Sequence, residues 1–311
     1  MDRRIIFLIL VIIIIGVAIF ALREKGQVRP APEPTPIAQI PLSPSPMATA
    51  LPIAPAITPT PTPPPTVQPV VAIEVPQQDP LRLLEKAEAL VKRGEKEEAW
   101  QVYSQAVQRL EGEQAARTKR IVTQLASQIL FSKEPSSFVE TYVVEPGDKL
   151  YTIAKPYKIP HELIIKLNGL KSNLIHPGDR LRVVQGPFDA TVDTRNLTLS
   201  VYYRGRFVKE YPVGLGEQGV LPEGKYPVKS KLINPAWTHP SNPMSADDPN
   251  NPLGERWIGF YSEYGIHGTI EPESIGKRVS LGCVRMHEKD VEEVFDLLVR
   301  EHSTITVKDG I

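Results

Sequence analysis

The sequence holds one cysteine, Cys283, within VSLGCVRMH (Val279 to His287), and a His-Gly pair, His267 and Gly268, upstream in YGIHGT. A lone thiol is a small buried hydrophobe, a metal ligand or a nucleophile. Cys283 follows Gly282 and stands among Ser280, Arg285 and His287, not inside an apolar run. A zinc site from Cys283, His267 and His287 would lack a fourth ligand and a second cysteine-rich knuckle. A nucleophile needs a base within reach, and His267 offers one beside a glycine that permits tight backbone geometry.

The elements that must position these groups make up a chain of 311 residues, enough for two or three compact units with connectors. Formal net charge is zero, so nothing global points to nucleic acid or to an acidic partner. The 32 prolines crowd into one early segment. Before that segment, Ile5 to Leu22 carries no charge and ends on Arg23, Glu24 and Lys25. This is close to a bilayer-spanning length and longer than the apolar core of a cleaved signal, so residues 1–28 are expected to be an uncleaved transmembrane signal anchor. Arg3 and Arg4 on one side balance Arg23 and Lys25 on the other, and charge does not orient it. In an exported chain an odd cysteine has no intramolecular disulfide partner, which leaves a reactive thiol or an inter-chain bridge.

Residues 29–79 alternate Pro, Ala, Thr and Ser and read as a disordered, partly polyproline-II tether. Extended at about 3 Å per residue, it would reach on the order of 150 Å. Residues 80–134 carry helical spacing. Leu83, Leu84, Ala87, Leu90 and Val91 mark a first helix stopped at Gly94, and Ala99, Val102, Tyr103, Ala106 and Leu110 a second. A third is expected over EQAARTKRIVTQLASQIL. The first two resemble one tetratricopeptide-type hairpin, a unit too small to bury its own apolar face, so the segment is expected to be a spacer.

Residues 140–185 predict a strand, a Pro-Gly-Asp turn, two short helices, a second Pro-Gly-Asp turn and a closing strand. Leu150, Ile153, Ala154, Leu163, Ile164 and Leu167 supply its inward face. YVVEPGDKLYTIAKPY, LIIKLNGL and IHPGDRLRV closely resemble a LysM domain, a module that binds glycans containing N-acetylglucosamine. The resemblance implies contacts at Gly147, Asp148 and Lys149 after the first strand and at Asn173, Leu174 and Ile175 before the last. Pro156, where the family usually has a polar residue, is expected to end the first helix early.

After Gly186 the pattern alternates as in strands, with DTRN and RGR as turns and a further hairpin expected around Pro222 to Gly224. A long Pro- and Asn-rich loop leads into WIGFYS, and such loops tend to be lids or binding loops. A helix and a strand close residues 187–309. YGIHGTIEPESIGKRVSLGCVRMHEKDV, with NPAW, NPLGERWIGF and LPEGKYPV, resembles the L,D-transpeptidases with a YkuD-type catalytic domain. Leu281 stands where many members carry a second histidine. The expected fold is therefore multidomain: a transmembrane helix, a small α-helical segment, a βααβ LysM module and a mostly antiparallel β catalytic domain.

The resemblance makes Cys283 the nucleophile and His267 its proton-holding partner, with the Gly268 carbonyl orienting the imidazole. An imidazolium would lower the thiol pKa and later protonate the leaving amine. N–H groups around Gly282 and Cys283 would bind the oxyanion, each worth about 3 kcal/mol. Arg285 would bind a stem carboxylate or stiffen its loop, Ser280 would hydrogen-bond near the site, and Trp237, Trp257 and Tyr264 are candidate groove walls. The implied reaction cleaves the bond after the L-centre of the third stem residue, releases D-alanine, and transfers the acyl group to an amine of a neighbouring stem. It implies no metal or organic cofactor, with peptidoglycan stems and strands as partners and a catalytic part outside the cytoplasm. Hydrolysis of the same acyl-enzyme, or a wall-binding tether without activity, are the alternatives.

Overall fold

The fold puts the His-Gly and Gly-Cys segments on adjacent strands, and long-range pairings put them there. The computed structural model describes residues 79–217, 221–238, 241–280 and 282–310. The expected membrane helix (1–28), the Pro-rich tether up to residue 78 and Leu281 lie outside them. Among the described residues no helix is long and apolar enough to cross a membrane.

Helix α1 (Pro80–Lys92) starts where the Asp79 side chain accepts the Leu81 N–H at 3.0 Å, with proline at its first position. It stops at Gly94, whose φ of +79° suits glycine. Helix α2 (Lys96–Val107) packs back on it, and α3 (Gly112–Ala126) runs into a π-helical turn at Ser127–Phe131. Leu83, Ala87, Leu90, Ala99, Tyr103 and Ala106 are buried as their spacing requires.

The segment is not a free spacer, and this corrects the sequence reading. Strands β3 (Phe188–Asp193), β4 (Thr198–Tyr203) and β5 (Arg206–Pro212) form one side of a five-stranded sheet in which β5 is an edge. The helices cover that edge. Trp100 Nε1 donates to the Phe207 carbonyl at 2.7 Å, the Phe207 N–H donates to Ser104 Oγ at 3.1 Å, and Lys119 pairs with Glu210 at 2.7 Å. An uncovered edge would expose unpaired backbone groups. Trp100 stacks on Tyr203 with centroids 6.0 Å apart, and Phe138 and Phe188 pack on the same ring.

Strands β1 (Val139–Val143) and β2 (Arg180–Val184) flank α4 (Leu150–Tyr157) and α5 (His161–Asn168). Both Pro-Gly-Asp turns share one geometry: each glycine has φ +93°, and each aspartate accepts the N–H three residues back at 2.8 Å. Pro156 does not end α4 early. The helix continues to Tyr157 and turns off at Lys158, φ +54°. A proline so near the terminus forfeits only one helical bond, which explains why the helix tolerates it. Only 185–187 join β2 to β3, and Gly186 donates to the Tyr157 carbonyl at 2.8 Å.

Among the described residues no strand pairs across Pro222 to Gly224, and residues 218–220 of the hairpin expected there lie outside them. Strand β6 (Leu215–Gly216) pairs elsewhere, while β7 (Gly224–Pro227) and β8 (Ser230–Ile233) turn into different sheets past Pro227. Helix α6 (Glu288–Phe295) packs on β9 (Arg256–Tyr261) and β10 (Tyr264–His267), and β13 (Thr304–Lys308) inserts between β3 and β7. The catalytic part is mostly β, but mixed. β13 pairs parallel with β3, β11 (Arg278–Ser280) with β6, and β12 (Val284–Arg285) with β10. Long excursions between partners permit parallel pairing, and local alternation does not reveal it.

Candidate active site

The parallel β10–β12 pair registers Ile266 with Val284 and His267 with Arg285, so one step back Cys283 stands opposite Gly265. Registered residues project to the same side of a sheet, and so do residues two apart. His267 and Arg285 therefore share one face, and Cys283 stands just before β12, its thiol against the Glu263 carbonyl at 3.9 Å and the Gly265 N–H. Trp257 joins that face, since β9 registers it with His267. Its indole stacks near-parallel on the imidazole, with centroids 5.8 Å apart at 20°. Gly265 and Gly259 make room for it: a Cβ there would come within 2.6 Å and 2.9 Å of the indole.

His267 is buried, and its Nδ1–H donates to the Gly268 carbonyl at 2.6 Å. A carbonyl only accepts, so in the neutral ring Nε2 carries the lone pair. The Met286 N–H donates to the His267 carbonyl at 2.9 Å and clasps the strands just past the thiol. Burial drives the His267 pKa down to about 4, against the Gly268 bond that raises it, and the Arg285 charge lowers it further. Burial pushes the half-buried Cys283 thiol up, although the Gly265 N–H and Arg285 act the other way. Both shifts favour the neutral thiol and the neutral imidazole over the expected thiolate–imidazolium pair, because each ion would lose hydration here.

Around the thiol the backbone is folded by glycine and serine. Gly282 has φ +129°, and a Cβ there would lie 2.2 Å from the Tyr264 ring. Ser280 Oγ–H donates to the Cys283 carbonyl at 2.7 Å and accepts the Gly282 N–H at 3.3 Å. The Cys283 N–H has no hydrogen-bond partner among the described residues. β6 closes the far side. Gly214 exchanges backbone bonds with Arg285 at 2.9 Å and 2.8 Å, and a Cβ on Gly216 would lie 2.6 Å from Gly282 N.

The YkuD L,D-transpeptidase catalytic domain family matches residues 187–307, and the LysM domain family matches residues 142–184. A Bacillus licheniformis protein named as L,D-transpeptidase YkuD is 31% identical over 167 residues, which cover 50% of this chain and 92% of that protein. The chain belongs to the YkuD-type L,D-transpeptidases. The Bacillus subtilis protein of the same name is 30% identical over 51% of this chain and 93% of its own length. A solved L,D-transpeptidase 3 from Mycobacterium tuberculosis overlaps 42% of this chain and 65% of its own, at 17% identity and TM-score 0.35, too loosely to carry detail.

In this L,D-transpeptidase Arg285 is already paired: its Nη1 donates to Glu271, in the loop between the two motifs, at 2.5 Å. Arg285 Nε is buried without a partner among the described residues. Trp237 is half-buried in the long loop, where its backbone pairs with Met244 and not with the strands that carry the thiol. Buried Asn251 braces that loop by donating to the Pro235 carbonyl at 2.7 Å and accepting the Leu253 N–H at 3.1 Å. Of the LysM candidates, Gly147 and Asn173 are exposed and Ile175 half-buried, while Asp148 accepts the Tyr142 hydroxyl at 2.8 Å. His287 precedes the first residue of α6 without a side-chain cap bond. Gly214, Gly216 and Asn251 escaped the sequence reading. The VGLG run carried a signal, two glycines alternating in a strand, whose partner strand was not visible.

Proposed function

We propose that the protein is an extracytoplasmic peptidoglycan L,D-transpeptidase, held at the membrane by residues 1–28 and at the polymer by its LysM domain. The carrying observation is the parallel register that sets the His267 strand beside the strand Cys283 leads into, with the imidazole fixed by the Gly268 carbonyl so that Nε2 carries the lone pair. Cys283 Sγ attacks the carbonyl of the third stem residue as Nε2 takes the thiol proton. The proton then passes to the departing D-alanine amine, leaving a thioester. An amine of a neighbouring stem attacks the thioester, gives its proton to Nε2, and expels the thiolate to form a cross-link between third residues. A neutral base that takes the proton as the bond forms suits a buried pair.

The Cys283 N–H is the donor open to the oxyanion, while the Gly282 N–H is shared with Ser280. One such donor is typically worth about 3 kcal/mol. Arg285 stiffens the loop through Glu271, and its guanidinium is the candidate partner for a stem carboxylate. The tether and LysM domain raise the local concentration of stems. Incubation with disaccharide-tetrapeptides and mass analysis of the products tests the reading. Dimers support transfer, tripeptide alone means hydrolysis, and turnover by Cys283→Ala would remove the thiol from the mechanism.

A further inference from the structure

Glu288, the first residue of α6, lies just past the VSLGCVRMH segment. Its Oε1 fills space that side chains on two other segments would need. A Cβ on Gly254 would lie 1.8 Å from that oxygen and one on Gly268 1.9 Å, while Oε2 accepts the Glu255 N–H at 3.3 Å. The carboxylate is thus wedged between the end of the long loop, just before the Trp257 strand, and the residue whose carbonyl orients His267. An acid in a helix's first turn is favoured by the helix dipole alone. That does not explain the notch at Gly268, and Gly254, with φ +63°, needs glycine for its backbone alone. Gly268 has no positive φ, so its backbone would accept any residue, and the closest obstacle is Glu288. The acid is also held in a costly setting: burial, with Glu255 and Glu292 nearby, raises its pKa, and only the Glu255 N–H and Arg256 oppose.

We propose that Glu288 is a positioning residue for His267: it braces the Gly268 peptide and so sets the direction of the Nδ1–H bond and of the Nε2 lone pair. The inference rests on His267 serving as the base. A misplacement of 1 Å at such a group costs on the order of 100-fold in rate. Glu288→Ala opens the notch and Gly268→Ala collides with the carboxylate, whereas in the double variant the new methyl occupies the vacated space.

The test uses the full chain, kinetics on a disaccharide-tetrapeptide, and the NMR signal of the His267 Nδ1–H, which is read without turnover. Each single variant is expected to lose roughly 10- to 100-fold in kcat with KM nearly constant and to shift or broaden that signal. The double variant, and Glu288→Gln, are expected to recover most of both. Thermal melts show that the variants are folded. If Glu288→Ala keeps the signal and kcat, or the double variant merely adds the two losses, Glu288 does not position the histidine. If the wild type turns over no stem peptide yet the signal moves and recovers as described, the transpeptidase reading fails and the positioning role stands.

Discussion

At the scale of residues, the buried neutral pair makes the pH dependence distinctive. With His267 held near 4 and Cys283 raised, the reactive form persists from about pH 4 into the alkaline range. The acid limb of kcat/KM is expected near pH 4, not near the ordinary imidazole value of about 6.5. Stability follows the same sign. The unfolded chain takes up a proton at His267 that the fold refuses, so the contribution is complete above about pH 6.5 and lost as pH falls through about 4. Melting curves between pH 4 and 7 should show this slope in the wild type and a flatter one in His267→Gln. Ser280→Ala removes both bonds that fold the Gly282 peptide, at a cost of about 1 kcal/mol in denaturant titration, and lowers kcat more than it changes KM.

At the scale of elements, the helical segment completes the catalytic sheet. Trp100 is fully buried, and its indole supplies the donor for an edge carbonyl. Trp100→Ala is expected to destabilise the protein by about 3–5 kcal/mol in equilibrium unfolding. The helices themselves were legible from periodicity, and the LysM elements from their turn residues, because those signals lie within a few positions of each other. The docking of Trp100 on β5 was not, because a tryptophan in a helix does not say whose edge it covers. The motifs named Cys283 and His267 as partners, yet the parallel β10–β12 register that aligns them joins segments far apart in sequence. Alternation marks strands but not which sheet each joins: β7 and β8, separated only by Val228 and Lys229, lie in different sheets.

At the scale of the whole molecule, the described residues fall within one compact unit, so the LysM domain is seated against the catalytic part and not strung from it. Gly186 has no room for a side chain beside Lys158 and Ile159, and Lys166 reaches Asp296 at 3.5 Å. Exposed Asn173 is expected to matter for the polymer. Asn173→Ala should weaken retention on sedimented peptidoglycan, while turnover of a soluble tetrapeptide on the same sample reports an intact catalytic part. The half-buried thiol has one more consequence at this scale. Oxidation to a sulfenic acid is ordinarily reversed by condensing with a second thiol, and this chain has none. Each molecule that meets an oxidant loses its free thiol in a single event, and only a reductant supplied from elsewhere can restore it.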